Sequence, residues 1–364
     1  MRKRKIGILT GGGDCPGLNA VIRGVTKTAH NVYGIDVIGF YDGFQGLIEN
    51  RFTALSYESV SGILTQGGTI LGASNKANPF EHIVIENGDR TVRDVSDQTM
   101  ALYRDLGLEA LITVGGDGTM TIAGMLAAKG ANVVGVPKTI DKDLVETDTT
   151  FGFDSARQIA TEAIDRLHST AQSHHRVMIV ELMGRNAGWL ALESGIAGGG
   201  DVILIPELPY QLDEIIRIAR QRSRFGKRFS IVVVAEGAKP EDGQQVIDRI
   251  VADSPEKVRL GGIGHQIAHQ IEEATDIECR VAQLGHLQRG GTPSAADRIL
   301  ATRLAVRSME LVAEGKFNRM VAINGDEIVA VPIEKVMGRQ KLVPRDSPLI
   351  EAALAVGASL GAEL

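Results

Sequence analysis

The chain has 364 residues, of which 43% are hydrophobic and 23% charged, an ordinary globular composition at a length that suggests two domains. A net charge of −6 argues against non-specific binding to nucleic acid or an anionic membrane, so an anionic substrate would need a local cluster of cations. Two cysteines, Cys15 and Cys279, make no disulfide framework and indicate a reducing compartment. No apolar run reaches membrane-spanning length, and the stretch after the basic start is too short for a signal peptide, so a cytoplasmic protein is expected.

Short apolar runs recur, each followed by glycine or charge and then a helical pattern. They are KIGILT (5–10), VIGFY (37–41), ALITV (110–114), VVGVP (133–137), RVMIVEL (176–182), DVILIP (201–206), SIVVVAE (230–236) and MVAIN (320–324). Such runs alternating with helices predict parallel sheets covered on both faces, a doubly wound α/β fold with ligands beyond the carboxyl ends of the strands.

The motifs follow strand ends. TGGGDCPGLN (10–19) offers glycines for close approach of a ligand and helix N–H groups for an anion, although a tight strand-to-helix turn would read the same. It is neither a dinucleotide fingerprint nor a Walker loop. VGGDGT (114–119) sets Asp117 among glycines, where it could hold magnesium between phosphates or simply face a helix dipole. PKTIDKD (137–143) alternates carboxylates and lysines: a general base and cations for a phosphoryl group, or a solvated turn. A basic group follows in Arg176, Arg185 of MGRNAG (183–188), Arg280, His286 and Arg289, with arginine forks suited to phosphate. Glu236 ends a predicted strand and could bind sugar hydroxyls. Pooled, these loops point to an enzyme that binds two phosphorylated ligands.

Nine segments, GGDCPGLN, YDGFQGL, GGTILG, GGDGT, PKTIDKD, FGFDSA, SHHRVMIVELMGRNAGWLAL, VVVAEGA and LGHLQRGGTPSAADRILATRLA, run in the order found in the 6-phosphofructokinase family, which the chain resembles from residue 5 to about 310. The resemblance implies two doubly wound, Rossmann-like lobes with the active site in the cleft between them. A nucleotide lobe would span 1–153 with a return segment at about 290–340, and a fructose 6-phosphate lobe 154–289, with 341–364 packing on the lobes. It implies transfer of the ATP γ-phosphoryl to the sugar 1-hydroxyl, in glycolysis. Asp141 would be the base, Thr139 would contact the transferring group, and Asp143 would organise the loop. Arg185 would stabilise the transition state, and Asp117 would hold Mg2+. Gly13, Lys76, Gly116, Gly118 and Thr119 would line the nucleotide. Met183, Gly184, Arg185, Glu236, His286 and Arg289 would hold the sugar phosphate. Arg176 and Arg280 would reach a neighbouring subunit's site, which implies a homodimer or homotetramer.

Two positions bear on the donor. Pyrophosphate-using relatives carry a carboxylate at the place of Gly118, where it would fill the room of the ATP α-phosphate. They also carry a lysine like Lys138. Gly118 is given more weight, so ATP is expected and pyrophosphate is the alternative; a non-catalytic sugar-phosphate-sensing subunit is a further one. The chain departs from bacterial ATP enzymes at Asn75, where an arginine is expected and Lys76 follows. The family's allosteric site would draw on Arg23, Lys27, Arg51 and Lys227, but His168 and Phe225 stand where cations are expected, so weak regulation is anticipated.

Overall fold

A computed structural model of the chain describes residues 4–86, 89–224, 228–250 and 258–362. Phe225 and Lys227 lie outside these. The chain forms two compact units, one of residues 1–140, 144–154 and 289–340, the other of 141–143, 155–288 and 341–364.

The first unit is built on a sheet of β1 (Lys5–Thr10), β2 (Asp36–Phe40), β3 (Phe52–Leu55), β6 (Ala110–Gly115), β7 (Val133–Thr139), β8 (Phe151–Gly152), β15 (Arg319–Asn324) and β16 (Glu327–Pro332). Between β3 and β6 lies a separate hairpin, β4 (His82–Glu86) and β5 (Asp89–Arg93). The sheet order is β16-β15-β7-β6-β1-β2-β3, with β8 pairing the end of β7. The central strands are parallel, as their unbroken apolar runs require: β1 and β7 bury nearly every residue. Both edges instead run antiparallel, β3 on β2 and β16 on β15. These edge strands alternate or are half-exposed, so they carry no long apolar run to announce them. The core against one face includes Leu9, Phe40, Leu111, Met120, Leu126 and Val133, all fully buried; each such side chain stabilises the fold by about 1.5–3 kcal/mol. Two helices of this unit, Leu18–Thr28 and Ala295–Ala313, approach so closely that a Cβ on Gly24 would lie 2.6 Å from the Cβ of Ala305.

The second unit carries a wholly parallel sheet of β9 (Val177–Leu182), β10 (Val202–Leu204), β11 (Ser230–Ala235) and β14 (Cys279–Gln283), ordered β10-β11-β9-β14. A short antiparallel pair, β12 (Ile247–Ile250) and β13 (Val258–Leu260), stands apart. In the sequence, residues 279–283 read only as part of a basic cluster. They form an edge strand, CRVAQ, whose polar Arg280 and Gln283 interrupt any long apolar run. A buried carboxylate, Glu181 on β9, accepts hydrogen bonds from Gly262 N (3.0 Å), Gly264 N (2.9 Å) and Gln283 Nε2 (2.8 Å), which satisfies a group that would otherwise be costly to bury. The chain's final stretch belongs here: Ser359 bridges to Val202, with Ser359 N donating to Asp201 O at 2.9 Å. Among the described residues no helix is long and apolar enough to cross a membrane.

Candidate active site

In the first unit, β1, β6 and β7 lie side by side, so the three motif loops at their carboxyl ends are neighbours. The loop after β1 is tied down by Gly11 N to Val114 O (2.8 Å) and Gly12 N to Ser74 O (3.0 Å). Gly12 has φ +76, a conformation that favours glycine. Gly13 is crowded by two cations. The ammonium of Lys138, only 5% exposed, donates to its carbonyl at 2.5 Å. A Cβ on Gly13 would lie 2.6 Å from Nη1 of Arg289. The structure thus brings Arg289 to the loop after β1, within the first unit. Cys15, beneath the same loop, is buried, and burial pushes its thiol up to about 12, so it is a packing residue rather than a nucleophile.

Asp117 opens the helix Asp117–Ala128. Its Oδ1 accepts from Gly338 N at 2.9 Å, and burial raises its carboxyl above the ordinary range despite that bond. A half-buried carboxylate whose charge is under-compensated fits a divalent cation that would restore the balance. Among the described residues no group of three or more metal-ligating side chains occurs; a single carboxylate completed by phosphate oxygens and water suits magnesium. Gly118 follows, and a Cβ there would meet nothing within 4 Å. Neither packing nor a left-handed backbone demands glycine at this position. Thr119 points the other way: it is buried, and a Cβ on Gly11 would lie 2.6 Å from its Oγ1. Its side chain packs under the glycine loops. Asn75 and Lys76 are exposed, and the Lys76 ammonium makes no hydrogen bond or ion pair with a described residue. Thr139, at the end of β7, is buried, with its carbonyl accepting from the Thr150 hydroxyl at 2.7 Å.

In the second unit, β9 is followed by Met183 and Gly184, the latter with φ +139. The adjacent end of β11 closes on it through Glu236 N to Leu182 O (2.8 Å) and Gly237 N to Gly184 O (3.1 Å). Glu236 and Arg185 therefore leave neighbouring strand ends together. Arg185 donates from Nη1 to Val258 O at 2.8 Å. Arg176, before β9, and Arg280, on β14, both reach the carboxylate of Glu278, which holds that carboxyl below the ordinary range, Arg176 being the main cause. His286 is exposed in the short turn Gly285–Arg289. Asp141 and Asp143 flank Lys142, which has φ +55 and pairs with Glu193. Glu278, just before β14, and Glu193, on the helix Trp189–Ala197, are not singled out in the sequence, since an isolated glutamate carries no signal by itself.

The phosphofructokinase family model matches residues 5–312. The chain is 52% identical over 358 residues to ATP-dependent 6-phosphofructokinase 2 of Clostridium perfringens, covering 98% of each chain. It is 51% identical over 362 residues to ATP-dependent 6-phosphofructokinase of Spirochaeta thermophila, again covering 98% of each. Among solved structures it resembles Pichia pastoris phosphofructokinase in the T-state, with a TM-score of 0.79 and 30% identity over 98% of this chain; it spans 37% of that longer one. A family match across most of the length, near-complete relatives above half identity and the same α/β fold agree, and the chain belongs to the phosphofructokinase family.

Proposed function

We propose that this chain is an ATP-dependent 6-phosphofructokinase, converting D-fructose 6-phosphate and ATP to fructose 1,6-bisphosphate and ADP. The observation that carries the donor is the open space at Gly118, in a chain whose near-complete relatives are named for ATP. Lys138, the position that leaned towards pyrophosphate, donates to the Gly13 carbonyl, a role under the loop that either donor tolerates.

The first unit would receive the nucleotide. Backbone N–H groups of the loops at Gly13, Gly116, Gly118 and Thr119 would bind its phosphates, with Lys76 and the guanidinium of Arg289 as nearby cations. Asp117 would hold Mg2+, which when bound neutralises charge on the phosphate oxygens. The second unit would receive the sugar phosphate. Met183, Gly184, Arg185 and Glu236 would define its place, with His286 and, in part, Arg289 on its phosphate. Asp141 would take the proton of the sugar 1-hydroxyl as that oxygen bonds to the γ-phosphorus. The bond to the β,γ-bridging oxygen breaks, and ADP leaves. Thr139 and Arg185 would steady the equatorial oxygens, which is where positioning and charge contribute most of the rate. Arg176 and Arg280 would serve a neighbouring subunit's sugar phosphate in a homodimer or homotetramer, exchanging Glu278 for that phosphate.

Fructose 6-phosphate phosphorylation, assayed with magnesium and with ATP or pyrophosphate in parallel, tests the reading. Turnover with ATP alone is expected. Turnover with pyrophosphate alone would overturn the donor, and silence with both would leave a non-catalytic sugar-phosphate-sensing subunit.

A further inference from the structure

The loop that carries the proposed base is fastened in part by Arg157, Glu193 and Lys341, which no motif contains. Lys142 stands between Asp141 and Asp143 with φ +55, a left-handed backbone that a residue with a Cβ adopts only when its surroundings enforce it. The enforcement is visible. Lys142 Nζ donates to Glu193 Oε1 at 2.7 Å, the two side chains being 18% and 10% exposed. The other oxygen of Glu193 accepts from Arg157 Nη1 at 2.6 Å. Glu193 lies one helical turn after Trp189 on the helix Trp189–Ala197, and the Lys142 ammonium sits 5.1 Å from the Trp189 ring centroid. A second cation, Lys341, lies 5.6 Å from the same ring. Trp189 Nε1 donates to Lys341 O at 2.8 Å, and Lys341 N donates to Asp143 O at 2.7 Å. The loop is thus held at two points, the Lys142 side chain and the Asp143 carbonyl, and both holds meet at Trp189. All of these residues belong to the second unit.

We propose that Glu193 is a positioning residue for phosphoryl transfer, fixing the Asp141–Asp143 loop through Lys142 so that the Asp141 carboxylate meets the sugar hydroxyl in one orientation. The inference rests on the reading of Asp141 as the base. Electrostatics gives the pair a second effect. Lys142 stands between two carboxylates in sequence, so where its ammonium sits bears on the field at Asp141. Glu193 draws that ammonium onto the face of Trp189, where the ring quadrupole also favours it.

The test compares four variants of the full chain. Lys142→Met, Glu193→Gln and the double variant are each expected to lower kcat about tenfold or more, the scale on which a misplaced catalytic group loses rate. KM for fructose 6-phosphate should stay within about threefold, since the loss falls on the transition state. The double variant should be no worse than either single, because both act through one contact. Arg157→Met, which leaves the Lys142–Glu193 contact itself in place, should lower kcat clearly less than Lys142→Met does. Glu193→Gln removes the carboxylate that two cations share and could fail to fold; Lys142→Met leaves Glu193 with Arg157 and keeps the proposal exposed to refutation. Trp189 is the chain's single tryptophan, so its emission reports the anchor directly and should change in Lys142→Met. Unchanged emission, unchanged kcat in Lys142→Met, or an equal loss in Arg157→Met each overturns the proposal. Wild-type silence towards fructose 6-phosphate overturns the function reading alone, and the emission comparison then decides the anchor by itself.

Discussion

Gly118→Asp separates a donor-binding role from a packing role. Gly118 is the second residue of the helix Asp117–Ala128, its φ is outside the left-handed region, and a Cβ there meets nothing within 4 Å. The substitution should therefore cost no packing. A helix-interior glycine is worth about 1 kcal/mol less than alanine, and a carboxylate in the first turn gains about 0.3–1 kcal/mol from the helix dipole. Repulsion from neighbouring Asp117 offsets part of this, so stability should stay within about 1 kcal/mol of wild type. Against ATP the effect is large. A carboxylate about 4 Å from a phosphate oxygen, at an effective dielectric of about 20, costs about 4 kcal/mol, or about a thousandfold in kcat/KM. Pyrophosphate has no α-phosphate to meet it and should be spared. Steady-state kinetics with both donors, alongside thermal unfolding, measures this. An ATP kcat/KM within about tenfold of wild type, with the melting temperature intact, would refute the placement of nucleotide phosphates beside Gly118.

Asp117→Asn gives a pH-dependent stability change. Because burial raises the Asp117 carboxyl, its contribution favours folding fully below the ordinary carboxylate range, about pH 4, and is lost as pH rises through the raised folded value. At neutral pH the charged group is a burden. The asparagine variant, whose amide oxygen can still accept from Gly338 N, should melt higher than wild type in metal-free buffer at pH 7, with the gap closing towards pH 4 and activity lost. A lower melting temperature at pH 7 would count against it. Two glycine substitutions should diverge. In Gly237→Ala the new Cβ runs into the backbone carbonyl of Arg185, which cannot yield, and denaturant unfolding should show a loss of about 2 kcal/mol or more. In Gly13→Ala it meets the movable end of Arg289, so kinetics should suffer while stability holds. Finally, a fructose 6-phosphate titration should change little on adding phosphoenolpyruvate. Arg51 is already paired with Glu49 and Asp42, Lys27 lies 3.8 Å over the Tyr57 ring, and His168 donates to Gly198 O. A strong sigmoidal shift would refute this.

All eight apolar runs read from the sequence are strands, within a few residues at their ends, because a strand buried on both faces must be apolar along its length. What escaped were strands with one wet face. Phe52–Leu55, Glu327–Pro332 and Cys279–Gln283 are edge strands, and the antiparallel pairs of 82–86 with 89–93 and of 247–250 with 258–260 stand apart from both sheets. Their composition follows solvent rather than core. At the candidate site, glycines and charges were visible as types but not as partners. Nothing in PKTIDKD says that Lys138 turns back to Gly13 while Lys142 turns to Glu193, fifty-one residues on. Likewise Arg176 and Arg280, far apart in sequence, meet at Glu278 only because β9 and β14 pair. Such contacts depend on sheet register, which a sequence pattern constrains only through its buried face.

The threading of the chain has a consequence for its synthesis. The first unit's sheet takes β15 and β16 from residues 319–332, and the second unit completes its β10 edge with Ser359. The first unit's sheet cannot be completed while the polypeptide is still short, so a nascent chain must keep β7 waiting for a parallel partner, β15, well over a hundred residues away. Such long-range closure is slow and leaves apolar surface open. Ribosome-bound intermediates ending near residue 310 should accordingly be protease-sensitive in both halves and depend on chaperones, even though the matched family segment is by then almost entirely made.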